Sequence, residues 1–173
     1  ARSQGCWVAD NGRDRVIFLG SESGHVVRYV DNLSDPVSIG FNLTNSALWV
    51  VNQGTDEVVR IAFAADGTAQ IRTVSGLENP AAVAVNSVDG SCWVADTGND
   101  RILRLSDDVP DAYDLANATG YHRTILGLSG PRSVSVNSAD GSCWVADTGN
   151  NQVVKFSPNT PHGYHIGTDV EHH

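Results

Sequence analysis

Methionine is absent from this 173-residue chain, even at position 1, and lysine occurs once, as Lys155. The missing start residue reads as a processed product or a piece of something longer. Lys and Arg number 11 against 20 Asp and Glu, so the formal net charge is −9. Phosphate backbones are gripped by clustered Lys and Arg, so this balance argues against a nucleic-acid partner. No apolar run approaches the ~20 residues that cross a bilayer, which excludes a helical membrane span. No ten-residue stretch keeps a 3.6-residue period and no capping box precedes an apolar run, so no helix is expected. No Gly-rich loop leads from a strand into a helix, which removes the usual physics of nucleotide binding. The three cysteines are odd in number, and their positions argue against a disulfide framework.

What the chain does have is repetition. Gly5-Cys6-Trp7-Val8-Ala9-Asp10-Asn11-Gly12 returns as Ser91-Cys92-Trp93-Val94-Ala95-Asp96-Thr97-Gly98 and as Ser142-Cys143-Trp144-Val145-Ala146-Asp147-Thr148-Gly149. A worn copy runs from Ala47-Leu48-Trp49 to Gly54. The four tryptophans, Trp7, Trp49, Trp93 and Trp144, stand 42, 44 and 51 residues apart. A period of that length is one supersecondary unit repeated, each copy burying its apolar faces against its neighbours. Cys6, Cys92 and Cys143 share a slot that Leu48 fills in the second copy, so the slot is one of apolar packing.

Each unit reads as four strands. The first starts at Pro36, Pro80 or Pro131 and alternates apolar residues with period two. The hairpin dipeptides Asp89-Gly90 and Asp140-Gly141 follow in two units. The Trp strand is nearly all apolar, as suits a strand covered on both faces. Its turn carries Gly12, Gly54, Gly98 or Gly149, where a backbone geometry that other residues resist is expected. A third strand covers Arg15 to Leu19, Glu57 to Phe63, Arg101 to Leu105 and Gln152 to Phe156. A more polar fourth covers His25 to Val30, Gln70 to Val74, Tyr121 to Leu126 and Tyr164 to Gly167. Antiparallel four-stranded units of this kind stack around an axis as propeller blades. The expected fold is an all-β propeller of about four blades, at about 5–30, 36–74, 80–126 and 131–168, with 169–173 as a tail. Glu171-His172-His173 reads as the start of a purification tag.

Trp93 to Ile102 (Trp-Val-Ala-Asp-Thr-Gly-Asn-Asp-Arg-Ile), with Pro80, Val83 and Val85 upstream, resembles the NHL repeat, and the likeness runs from Gly5 to about Gly167. Asn52 and Gln152 depart from the Asp and Arg of that pattern. The resemblance implies a β-propeller, usually of six blades. It leaves function open, because the family includes scaffolds, adhesion modules, RNA-binding domains and a few lyases and hydrolases.

The first unit has only four residues ahead of Gly5 for its inner strand, and the tail 168–173 is too polar to supply it. The array is therefore expected to be open, completed by truncated sequence or by a second copy, since a bare blade face exposes apolar surface. Asp10, Asp96 and Asp147 end the Trp strands. A ring of carboxylates there would suit Ca²⁺, and the competing reading is that each caps its own turn and pairs with Arg15 or Arg101. Glu78 and Arg132 break the repeat symmetry and are the candidate ligand contacts. His25, His122 and His165 fall on outer strands, away from any channel, which argues against a metal hydrolase or lyase. An acidic insertion from Asp107 to Thr119 lengthens the third unit, and loops on rigid scaffolds often carry function. Asn32, Asn42 and Asn117 head glycosylation triplets. The reading is a binding scaffold for a protein or carbohydrate partner, in an extracellular or cell-surface setting. Its rival is a metal-dependent lyase or lactonase whose ligands lie partly in other blades. A third class is a purely structural module of a long surface protein.

Overall fold

The alternating stretches form strands in the computed structural model, which describes residues 5–22 and 24–167. In chain order these are β1 (Gly5–Asp10), β2 (Arg15–Gly20), β3 (Val26–Val30), β4 (Pro36–Phe41), β5 (Leu48–Asn52), β6 (Glu57–Phe63), β7 (Ala69–Ser75), β8 (Pro80–Val85), β9 (Cys92–Asp96) and β10 (Arg101–Leu105). The two-residue β11 (Tyr113–Asp114) follows, then β12 (His122–Leu126), β13 (Pro131–Val136), β14 (Cys143–Asp147), β15 (Gln152–Phe156) and the two-residue β16 (Tyr164–His165). Single 3₁₀ turns at Asn11–Arg13, Gln53–Thr55, Thr97–Asn99 and Thr148–Asn150 follow the Trp strands.

Four sheets result: β1-β2-β3, β4-β5-β6-β7 with β11 added, β8-β9-β10-β12 with β16 added, and β13-β14-β15. The second and third sheets each hold the expected four antiparallel strands, with one strand more. Among the described residues two sheets have three strands and two have five, and the fifth strand runs parallel to its neighbour. Tyr164 to Gly167 was expected to close the fourth unit. Instead Tyr164 and His165 pair with Ile125 and Leu126 of the third. The Asp107–Thr119 insertion is likewise no peculiarity of unit three. Ser106 through Leu115 and Ser157 through Ile166 follow one pattern at the offset of 51 that separates Trp93 from Trp144. Each forms a strap that reaches back onto the outer edge of the preceding sheet. The inner strand expected ahead of Gly5 and the tail after Gly167 lie outside the described residues.

The core sits between sheets. Alternation points Trp49 and Val51 at Cys92 and Val94 of the third sheet. Trp93 and Ala95 meet Cys143 and Val145 of the fourth, and Trp7 packs with Leu48 and Val50 of the second. The tryptophan face of each sheet thus meets the cysteine-slot face of the next, which explains why Leu48 can stand in that slot. All five residues of β5 and of β9 are buried, as the apolar Trp strands predict. An indole so enclosed contributes about 3–5 kcal/mol relative to alanine. The indole N–H groups of Trp49 and Trp93 are buried without an acceptor, a cost of about 1–3 kcal/mol that burial of the ring outweighs. On the last sheet the same face is open: Trp144 is 47% and Val153 65% exposed. The first strands of adjacent sheets lie against each other, β1 by β4, β4 by β8 and β8 by β13, so the sheets fan out from that side.

Candidate functional site

The repeated Asp-x-Gly turn is built to hold loops. The last residue of each Trp strand, Asn52, Asp96 or Asp147, accepts a hydrogen bond through Oδ1 from the backbone N–H of Ser34, Glu78 or Ser129 (2.6, 2.8 and 2.7 Å). The turn glycine then donates its own N–H to the carbonyl of that same residue: Gly54 to Ser34, Gly98 to Glu78, Gly149 to Ser129. These glycines do not have positive φ, which corrects the expected backbone role. They are small because the loop presses on them: a Cβ on Gly98 would lie 2.6 Å from Glu78 Cγ and 2.8 Å from its carbonyl oxygen. The left-handed residues come two positions later, at Asp14, Asp56, Asp100 and Asn151. Three of them reach across to the next unit, where Asp14, Asp56 and Asp100 accept from the N–H of Asp35, Asn79 and Gly130.

Asp96 and Asp147 are bonded through both carboxylate oxygens within this frame, and Asp10 through Oδ2. Asp96 is fully buried, and its Oδ2 accepts from Asn99 Nδ2 (3.0 Å) and Arg101 Nε (2.5 Å). Asp147 uses Gln152 Nε2 (2.7 Å) and Asn150 Nδ2 (2.8 Å), so Gln152 replaces the arginine with a neutral donor. Burial works to raise the Asp147 carboxyl, but hydrogen bonds from Gln152, Ser129 and Asn150 hold it below the usual carboxylate range. The Arg15 guanidinium, 2.8 Å away, lowers Asp10 in the same sense. Among the described residues no three His, Cys, Asp or Glu side chains gather closely enough to hold a metal ion. The cysteines are free thiols. Burial pushes Cys143 up to about 12 and Cys92 well above its ordinary value, while Cys6 is exposed.

Glu78 and Arg132 stand on the same frame with free side chains. Glu78 is exposed, and its backbone N–H and C=O are both taken, as at Ser34 and Ser129. Arg132 is exposed and is the extra residue of a β-bulge between Pro131 and Ser133. Val37 and Ala81 occupy the same bulge in β4 and β8. A bulge re-aims one side chain out of the ladder, which sequence alternation alone does not show. The carbonyl of Pro131 accepts from Thr97 Oγ1 of the preceding unit (2.6 Å), so the bulge is anchored across the seam.

A second cluster escaped the sequence reading. A cavity of about 420 Å³ opens at the outer rim of the third sheet, lined by Arg104, Ser106, Tyr121, His122, Arg123 and His162, among others. The imidazoles of His122 and His162 are 5.2 Å apart and edge to face. His162 is not among the histidines that the repeat pattern places on outer strands. The strap brings His162 back over β12, and its Nδ1 accepts the Thr124 N–H at 3.2 Å. His122 Nδ1 lies 2.8 Å from the Tyr113 hydroxyl. Burial, then the neighbouring His162 and Arg101, lowers the His122 pKa, which keeps it neutral at neutral pH. Arg123 Nη1 is held by the carbonyls of Pro158 and Thr160. Arg104 pairs with Asp89 at 2.5 Å, and its Nε is buried without a partner. No carboxylate lines this cavity. The signal for it in the sequence was the 51-residue offset between Asp111 and His162, which sit at one strap position.

A family model, the NHL repeat, matches residues 128–156, which span β13 to β15. No curated protein matches the chain in sequence. Among solved structures, streptogramin B lyase is 19% identical with a TM-score of 0.63, over 93% of this chain and 53% of that one. Virginiamycin B lyase from Staphylococcus aureus is 16% identical with a TM-score of 0.63, over 95% and 57%. An auxiliary nutrient binding protein from Bacteroides thetaiotaomicron is 10% identical with a TM-score of 0.64, over 89% and 45%. The chain spans about half the length of these structures, and at such identities the likeness is one of fold. It is an all-β, propeller-like fold that includes an NHL repeat.

Proposed function

We propose that this chain, a propeller-like protein with an NHL repeat, is a non-catalytic binding scaffold that recognises a protein or glycan partner through the loop end bearing Glu78 and Arg132. One observation carries the reading. At three equivalent positions the backbone is locked by the same pair of hydrogen bonds, while the side chain changes from half-buried Ser34 to exposed Glu78 to half-buried Ser129. At the neighbouring bulge it changes from Val37 to Ala81 to Arg132. A fixed frame with variable side chains is how rigid scaffolds recognise partners. Asp96 and Asp147 support this, since both carboxylate oxygens of each accept internal hydrogen bonds. The acidic charge and near-absence of lysine favour an extracellular or cell-surface setting.

The test is a glycan and peptide panel probed with the wild-type chain and with Glu78→Ala and Arg132→Ala. The expected result is a binder weakened at least about tenfold by either substitution at unchanged melting temperature. Retention of full affinity in both variants would remove this face from the function. The rival, a metal-dependent lyase or lactonase, predicts a stoichiometric divalent ion in purified protein, Ca²⁺ included; two structural neighbours are named as lyases. The open end faces carry a further part of the same proposal. Trp144 and Val153 on one, and Cys6 and Val8 on the other, match the two faces that pack together within the chain. Another such sheet, from a second copy, fits them, and solution mass above that of one chain at micromolar concentration is the expected sign.

A further inference from the structure

Three described units have an outer fourth strand (β3, β7 and β12); two of these edges are closed the same way, and the third is open. In β7 the edge takes Tyr113 opposite Val74 and Asp114 opposite Ser75, in parallel. In β12 it takes Tyr164 opposite Ile125 and His165 opposite Leu126. The bonds agree in detail. Leu115 N–H donates to Ser75 O (3.1 Å) and Ile166 N–H to Leu126 O (3.0 Å). The residue two before each tyrosine accepts an edge N–H: Asp111 Oδ1 from Thr73, and His162 Nδ1 from Thr124, both at 3.2 Å. Each strap therefore reads acceptor, small residue in the left-handed region (Ala112, Gly163), Tyr, polar, then Leu or Ile.

In the first sheet the pairing of Val16 with Val30 corresponds to Val58 with Val74 and Ile102 with Ile125. Val30 is thus the position that would face a tyrosine, Tyr29 N–H the donor, and Asp31 O the acceptor. Nothing among the described residues pairs with this edge of β3. The cause is internal. Each strap comes from the link between the third and fourth strands of the following unit or its equivalent, and in unit two that link is only residues 64–68. Phe63, at the end of β6 just before that link, lies under the Arg28 guanidinium of β3 at 4.3 Å, and no residue of the link pairs with β3. The open edge is apolar: Val26, Val27 and Tyr29 are 46%, 62% and 57% exposed. Unpaired apolar edges recruit strands.

We infer that the outer edge of β3 is a docking site for an extended segment of a partner protein, received as a parallel strand with the pattern acceptor–small–Tyr–polar–Leu/Ile. The partner must bring that segment, because both straps of this chain are in use. The site lies on the first sheet, whereas Glu78 stands in the loop after β7 and Arg132 in β13, so neither of those substitutions alters it.

The probe is a fluorescein-labelled peptide of residues 107–118, titrated into the intact chain by anisotropy, with hydrogen exchange to locate it. Saturable binding tighter than about 1 mM is expected, with protection gained at the amides of residues 26–31. A peptide N-methylated at the Leu115 position loses the donor to Asp31 O, and Tyr113→Ala in the peptide loses the ring. Each binds at least about tenfold more weakly. Tyr29→Pro in the chain removes an N–H that points away from β2, a place where edge strands tolerate proline, and it has the same effect. Absence of binding at about 1 mM, equal affinity of the N-methylated peptide, or protection confined to other strands overturns the inference.

Discussion

The four turn glycines give a direct measurement of why the repeat needs them. One sequence motif places Gly12, Gly54, Gly98 and Gly149 at equivalent positions, yet their surroundings differ. A Cβ at Gly98 would meet the Glu78 carbonyl at 2.8 Å and its Cβ at 3.0 Å. At Gly149 it would meet the Ser129 carbonyl at 2.7 Å. Both are backbone contacts, so the loop must retreat and the glycine N–H to carbonyl bond is strained or lost. Overpacking of about 1–3 kcal/mol plus a hydrogen bond of about 0.5–1.5 kcal/mol gives roughly 2–4 kcal/mol for Gly98→Ala and Gly149→Ala. In a chain of this size that lowers the melting temperature by roughly 5–15 °C. At Gly54 the closest atom is the Ser34 hydroxyl, the movable end of a side chain, and the carbons behind it are 3.2 Å away, so Gly54→Ala costs about 1 kcal/mol. Gly12 has nothing within 4 Å, so Gly12→Ala falls within about 0.5 kcal/mol of wild type. Thermal and urea unfolding of the four single variants check the order. Equal losses at all four sites would refute close approach and restore a purely conformational role.

Asp96→Ala leaves the Glu78 N–H, Asn99 amide and Arg101 guanidinium without their acceptor in a buried site, and it costs about 3–5 kcal/mol by chemical denaturation. Arg101→Gln recreates the pairing seen at Gln152 and costs about 1 kcal/mol or less beyond the lost bond to Gly76 O. His122 has a folded pKa below the ordinary 6.5, so the unfolded chain binds its proton first as pH falls. Stability therefore declines as pH drops through about 6.5 toward the folded value and is constant for this group above it. His122→Gln flattens that part of a pH–stability curve. With iodoacetamide at pH 8, exposed Cys6 alkylates quickly in the native state, whereas Cys92 and Cys143 react only on unfolding, as mass spectrometry of timed samples would show.

The repeat period, the Trp strand, its flanking strands and the Asp10–Arg15 and Asp96–Arg101 pairs could all be read from residue order. They could be read because they are local: hairpin neighbours follow one another within a few residues, and period-two alternation reports a face directly. The worn unit was also readable, since Asn52 keeps an acceptor and Leu48 keeps the volume of the slot.

What residue order could not supply was the partner of each strap. Tyr113 and Tyr164 lie in the middle of polar loops with no alternation around them. Their pairing depends on an edge about forty residues earlier that only stacking of the sheets brings within reach. The same holds for the crowding at Gly98, which is a distance between two loops and not a preference of the chain. The bulge at Arg132 and the meeting of His122 with His162 are further cases. Composition and period determined that sheets form and what each buries; the packing of one sheet on the next decided which side chains are used up internally and which remain free, because contacts between units depend on three-dimensional approach and leave no periodic trace.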